Sequence, residues 1–211
     1  MGNILEHTVA IIANGAIHDY LAVAPLIKAH AEIIAVDGGY NHCVKMGIQP
    51  DIIIGDFDSI DPANLSNIES IPTRRFPRDK NETDLELAIQ ATFTPEVKKI
   101  TIYGALEHRS DHTLANLHLI RRYPNKVFIE TEKETIFVFD AQIEIPCTPG
   151  QTISFVQIGD PASGIFSEGL QWELHDATFS KYFFSLSNIC LAQTVRMRIH
   201  HGDLLCIMQK P

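Results

Sequence analysis

The run Pro50-Asp51-Ile52-Ile53-Ile54-Gly55-Asp56-Phe57-Asp58-Ser59 ends an apolar segment in two carboxylates two residues apart. In an extended chain, residues i and i+2 point to the same side, so Asp56 and Asp58 are expected to converge on one point beyond the strand. Two bare anions about 4 Å apart, at an effective dielectric near 20, repel by on the order of 4 kcal/mol. The pair therefore needs a cation, a shared proton or open solvent. Magnesium suits it, because this hard ion takes one or two carboxylates and fills its other positions with water and phosphate oxygens. The alternative for an isolated D-x-D is a turn whose aspartates cap backbone amides.

The elements that must position this chemistry alternate over the first 130 residues. Strands are predicted at Thr8-Ala13, Glu32-Val36, Asp51-Ile54, Lys99-Tyr103 and Lys126-Ile129. Helices are predicted at Leu21-His30, Asn41-Met46, Asp84-Thr92 and Thr113-Arg122. This alternation predicts an α/β domain with an open, mostly parallel sheet. Thr83-Asp84-Leu85-Glu86 reads as a capping box that starts a helix at Asp84, and Ser110 or Asp111 can cap the later helix. Asn14-Gly15, Asp37-Gly38-Gly39, Asp56-Phe57-Asp58 and Tyr103-Gly104 all fall at carboxyl ends of predicted strands, the edge where open sheets bind ligands. The paired glycines would let backbone amides approach a nucleotide, and Asp84 sits at a positive helix end that also suits phosphate.

From Glu130 the texture becomes short β segments: Glu134-Asp140, Gln142-Ile145, Gln151-Ile158, Leu170-His175, Val195-His200 and Leu204-Met208. Turn signals such as Pro149-Gly150, Gly159-Asp160-Pro161, Gly164 and Gly169 punctuate them, which reads as an all-β C-terminal sandwich. The expected domains are 1-133 and 134-211.

A net charge of −9 removes the basic face that duplex nucleic acid requires. The short cluster Arg74, Arg75, Arg78 and Lys80 reads as a solvated loop or a local anion contact. Four scattered cysteines form no C-x-x-C pair, so reduced core thiols are expected. With no basic and apolar leader, and no apolar run long enough to span a bilayer, the expectation is a cytoplasmic protein that does not enter membranes.

The ordered blocks Asp37-Gly38-Gly39, Gly47-Ile48-Gln49-Pro50-Asp51, Gly55-Asp56-Phe57-Asp58-Ser59, Phe76-Pro77 with Lys80-Asn81-Glu82-Thr83-Asp84, and Arg109-Ser110-Asp111-His112 with Asn116 resemble the thiamin pyrophosphokinase family. Gly169-Leu170-Gln171-Trp172 and Ser187-Asn188 are similar to its thiamin-site segments. The resemblance implies a homodimer with shared active sites that transfers a diphosphoryl group from ATP to the hydroxyl of thiamin, releasing AMP and using Mg2+. It implies that Asp56, Asp58 and Asp84 hold metal and act with Arg109 in catalysis. Asn14, Asp37, Gly38, Gly39, Lys80, Thr83, Arg109, Asp111 and His112 would serve nucleotide and phosphate. Trp172, Ser187 and Asn188 would contact thiamin, with ATP on the first domain and thiamin between it and the partner subunit's sandwich. Trp172 offers a ring face to a thiazolium cation, and its alternative reading is a core tryptophan.

Two positions depart from the family pattern: Asn81 replaces an aspartate, and Glu107-His108 replaces a glycine pair. Those departures keep a catalytically silent thiamin sensor in view, and the D-x-D alone would also serve a metal-dependent nucleotide-sugar transferase. His108, Asp111 and His112 can also be read as transition-metal ligands.

Overall fold

The computed structural model describes residues 7–107, 109–181 and 183–211. The readings of the first six residues and of His108 lie outside the described residues. Two compact units are formed, one by Met1–Asn116 with Ile129–Glu132 and the other by Leu117–Phe128 with Lys133–Pro211.

In chain order the first part carries β1 (His7–Ile12), α1 (Tyr20–Lys28), β2 (Glu32–Val36), α2 (Gly39–Met46), β3 (Ile52–Gly55), a 3-10 helix (Pro62–Ser70), β4 (Thr73–Arg75), α3 (Asp84–Thr92), β5 (Val97–Tyr103), α4 (Ser110–Ile120) and β6 (Val127–Glu130). Strand order is β6-β5-β1-β2-β3-β4, and the four contacts from β5 to β4 are parallel. Such strands are covered on both faces, which is why Val9-Ala10-Ile11-Ile12 is apolar without alternation and fully buried. One face packs on α1 and α2 through Val23, Ile27, Tyr40 and Cys43. Helix α3 buries Leu85, Ala88 and Ile89. The chain leaves β1 toward β2, β3 and β4, then returns to β1's other side as β5. This reversal opens a crevice beyond the strand ends.

Every expected strand and helix of this part is present, β2 and α3 with the expected bounds and the others with shifted ends. Helix α1 begins early because Asp19 caps it, its Oδ1 accepting from Ala22 N–H at 3.0 Å. The 3-10 helix and β4 were not expected. The former buries no residue and so has no apolar stripe to read; the latter is an exposed Thr-Arg-Arg edge.

The second part carries β7 (Glu134–Phe139), β8 (Ile143–Pro146), β9 (Thr152–Val156), β10 (Ala162–Glu168), β11 (Ala177–Phe179), β12 (Ser185–Ile189), β13 (Thr194–Arg198) and β14 (Leu204–Gln209). These form two antiparallel layers, β12-β9-β14-β7 and β11-β10-β13-β8. Phe137, Phe139, Phe155 and Cys206 from one layer meet Ile145, Ile165, Phe179 and Val195 from the other, giving the expected sandwich core.

Leu170–His175 is not a strand, which corrects one expectation. Beyond an isolated bridge from Leu170 to Cys190 and the Ser167 amide donating to the Leu174 carbonyl, its backbone is held by side chains: Ser167 Oγ takes the Leu174 amide and Asn188 takes both polar groups of Trp172. Conversely, β10, β11 and β12 stand where no strand is expected, and in β10 Gly164 reads as a break. It lies inside β10 at φ 65, where the register with β11 shifts. Cys43, Cys190 and Cys206 are buried and Cys147 half-buried, all four as free thiols. No helix among the described residues is long and apolar enough to cross a membrane.

Candidate active site

A cleft of about 310 Å³ lies at the carboxyl ends of β1, β2 and β5. Its walls extend the β1–β5 pairing past the strands: the amides of Ala13, Gly15 and Ala16 donate to the carbonyls of Tyr103, Gly104 and Leu106 at 2.8, 2.6 and 2.9 Å. His42 of α2 secures this rim. Its Nε2–H donates to the Gly15 carbonyl at 2.8 Å, so its neutral ring accepts from the Tyr20 hydroxyl at Nδ1, also at 2.8 Å. Burial lowers the His42 pKa and so favours the neutral ring, while the Gly15 carbonyl selects the tautomer.

Asn14, Asp37, Thr83, Asp84, Arg109 and His112, all expected site residues, line this cleft. Asp37 follows β2 with φ 46, and its Oδ1 accepts from the Phe57 amide at 3.0 Å. Gly55 makes room: its φ is 143, and a Cβ there would fall on the Asp37 carboxylate. Burial is the main cause that pushes the Asp37 carboxyl up to about 7, and the neighbouring Asp84 and Asp56 add to it. Asp84 stands in the first turn of α3, where Thr83 Oγ1 accepts from Glu86 N–H at 3.1 Å as the capping pattern predicted. Lys80 Nζ contacts Asp84 Oδ1 at 2.7 Å, with both side chains mostly enclosed.

The D-x-D leaves the sheet differently from an extended strand end. Strand β3 stops at Gly55, Phe57 takes φ 71, and Asp56 Oδ1 accepts from the Asp58 amide at 3.0 Å. The amide-capping turn, weighed above as an alternative, is therefore part of the motif. Asp58 receives Ser59 Oγ at 2.9 Å and pairs with Arg78 at 3.2 Å. Asp56 and Asp58 border a second, more open hollow with Arg75, Phe76, Pro77 and Arg78.

Among the described residues no group of three or more His, Cys, Asp or Glu is arranged to hold a metal ion. The donor chemistry nonetheless fits a hard divalent ion. Burial first, and then the neighbouring Asp84 and Asp56 carboxylates, disfavour a second negative charge on Asp37, a strain that a bound cation would relieve.

Gly38 and Gly39 serve packing. A Cβ on Gly38 would meet the Asn14 side chain, and one on Gly39 the Ile12 carbonyl, so the pair seats α2 against the end of β1. Arg109 grips Asp111 through both Nε and Nη2, which holds the exposed Asp111 carboxyl at about 2. Asp111 Oδ1 also accepts the His112 amide at 2.9 Å, so Asp111 orients Arg109 and the start of α4. Buried Asn116 donates to the Ala105 carbonyl at 2.7 Å in the cleft wall. Glu107 takes φ 70, a conformation natural to glycine, and its carboxylate reaches His18.

In the sandwich unit, Trp172 is 57% exposed whereas Asn188 is 1% exposed. Asn188 Oδ1 accepts from Trp172 N–H at 3.1 Å and its Nδ2 donates to Trp172 C=O at 2.8 Å. Asn188 thus positions the Trp172 backbone, and Trp172 is no core residue. Ser187 is exposed at φ 55 and donates its amide to Ser154 Oγ at 2.9 Å.

Sequence reasoning missed His42, which carries no motif and is read only once α2 lies beside Gly15. Arg75 is expected only as one member of a basic cluster, and its contact with the Asp56 carbonyl becomes readable once β4 pairs with β3.

Comparison with known proteins gives a consistent result. Residues 23–131 match the family described as thiamin pyrophosphokinase, catalytic domain, and residues 140–202 match thiamin pyrophosphokinase, vitamin B1 binding domain. Thiamine pyrophosphokinase 1 of rice (Oryza sativa subsp. japonica) is 26% identical over 205 residues, covering 82% of this chain and 78% of that protein. Thiamine pyrophosphokinase of Bacillus subtilis is 31% identical over 115 residues, 54% of each chain. The crystal structure of the Bacillus subtilis protein shares the fold with TM-score 0.84 at 23% identity, over 97% of this chain and 99% of that one. The yeast thiamin pyrophosphokinase structure gives 0.82 at 16% identity, over 98% and 87%.

Proposed function

The chain belongs to the thiamin pyrophosphokinase family, whose activity is the transfer of a diphosphoryl group from ATP to thiamin, and we propose how its residues divide that work. The observation that carries the proposal is the meeting of Asp37, Asp84 and Arg109 in one cleft at the carboxyl ends of β1, β2 and β5. ATP binds there, and residues 1-133 form the nucleotide-binding catalytic domain. Asp56, Asp58 and Asp84, with Asp37 beside them, hold Mg2+. When bound, the ion neutralises phosphoryl charge and aligns the diphosphate with the attacking hydroxyl.

The remaining work is positioning and electrostatics, as phosphoryl transfer requires. Lys80, fixed against Asp84, and Arg109, oriented by Asp111, meet the negative charge of the triphosphate. Thr83 caps the α3 amino end at the cleft, and the Asn14 side chain lies against Gly38, where a Cβ would displace it. The rim secured by His42 keeps the nucleotide's place rigid.

Residues 134-211 form the thiamin-binding and dimerisation domain. Trp172 presents its ring to the flat cationic vitamin, Asn188 holds Trp172, and Ser187 stands exposed on the same strand as Asn188. A homodimer with shared active sites is supported by the exposed apolar side chains of Phe184, Leu186 and Leu191 on and beside β12, an edge strand. The unpaired cysteines suit the cytoplasm.

Incubation of the protein with thiamin, ATP and Mg2+ tests this reading. Equimolar AMP and thiamin diphosphate, both lost with chelator, are expected. Thiamin binding without AMP would leave a sensor, and hydrolysis of a nucleotide sugar would leave a transferase of another class.

A further inference from the structure

We infer that Arg75 is a positioning residue that locks the Asp56-Phe57-Asp58 turn in the conformation the reaction uses. The inference rests on the reading of that turn as the metal and phosphate site.

Phe57 is a bulky L-residue at φ 71, a left-handed conformation that surrounding contacts must impose. Two groups impose it. Asp37 Oδ1 takes the Phe57 amide at 3.0 Å, as described above. Arg75 supplies the other hold, with its guanidinium 5.1 Å from the centre of the Phe57 ring and its Nη2 donating to the Asp56 carbonyl at 3.2 Å. The ring itself packs against the core that includes Ile53 and Ile60. One guanidinium thus fixes both the side chain of Phe57 and the peptide joining it to Asp56.

Arg75 is fixed in turn by the sheet. It pairs with Gly55 across β3 and β4, and the next amide, Phe76 N–H, donates to the Gly55 carbonyl at 3.0 Å. The clamp and the turn therefore leave the same rung of the ladder, which gives the short edge strand β4 a use. A planar guanidinium can stack on a ring and donate in its own plane at once; a lysine ammonium cannot do both. Arg75 acts here on the carboxylates' backbone, whereas a direct phosphate contact would need only its charge.

The test compares wild type with Arg75→Lys, Arg75→Ala and Phe57→Leu. The first readout is amide hydrogen exchange of the peptide containing Phe57, taken on metal-free protein. The second is turnover against thiamin at saturating Mg2+. All three substitutions are expected to speed Phe57 amide exchange about tenfold while exchange in β1 and β5 is unchanged. Both Arg75 variants are expected to lower kcat about tenfold with KM for thiamin within about twofold.

Unchanged Phe57 exchange in Arg75→Ala overturns the inference, as does Arg75→Lys with wild-type kcat beside a defective Arg75→Ala. If a variant also exchanges fast in β1 and β5, it has lost the fold, and Phe57→Leu then decides by the same exchange criterion. If wild type forms no AMP, the functional reading fails while the exchange comparison still decides whether Arg75 holds the turn.

Discussion

Asp56 and Asp58 stand two residues apart but are held differently, Asp56 by the Asp58 amide and Asp58 by Arg78 and Ser59. Neither contact is buried, so Asp56→Asn and Asp58→Asn should each keep stability within about 0.5 kcal/mol. Turnover should fall on the order of 100-fold or more in each, since both carboxylates serve developing phosphoryl charge. Steady-state kinetics with thermal melts checks this, and near-normal turnover in both variants would contradict their metal role. The side-chain types were legible because acids at a strand end ask for a cation. Their geometry was not, because the left-handed Phe57 depends on Asp37 and Arg75, which are distant in sequence.

His42 supports a prediction of pH dependence. Its pKa is lowered in the folded protein, by burial first and Lys45 second, against an ordinary value of 6.5. On acidification the unfolded chain therefore takes up its proton before the folded one does. The stability it contributes is present above pH 6.5 and is lost as pH falls toward the lowered folded value. Urea titrations at several pH values should show a shallower acid-side loss in His42→Gln than in wild type. Parallel curves would mean that His42 is not held neutral.

At the scale of elements, α3 delivers Asp84 and depends on its cap. Removing the Thr83 hydroxyl frees the Glu86 amide, so Thr83→Ala should cost about 1 kcal/mol. The urea midpoint should drop with no change in slope. This helix was fully legible, since capping box and apolar stripe agree along one short stretch. The basic segment after the 3-10 helix was not, because an exposed Thr-Arg-Arg strand has no alternation to betray it. Leu170–His175 failed for a related reason. Its apolar residues suggested a strand, yet Ser167 and Asn188 replace the neighbour that a strand would need.

At the scale of the molecule, the change from alternating β and α segments to punctuated β segments revealed the two architectures. Trp172, Phe184, Leu186 and Leu191 are exposed, and the expectation that a partner subunit covers them rests on family likeness alone. Sedimentation of the full chain should give a dimer mass at micromolar concentration, and Leu186→Glu should shift it toward monomer. A wild-type monomer at that concentration would remove the shared-site proposal.

Diphosphoryl transfer is the central claim, and isotopic label tests it most directly. With ATP labelled at the β or the γ phosphorus, thiamin and Mg2+, both labels should appear together in thiamin diphosphate, with one AMP released per product. Label from the γ position alone in thiamin monophosphate, with ADP as the other product, would contradict the account.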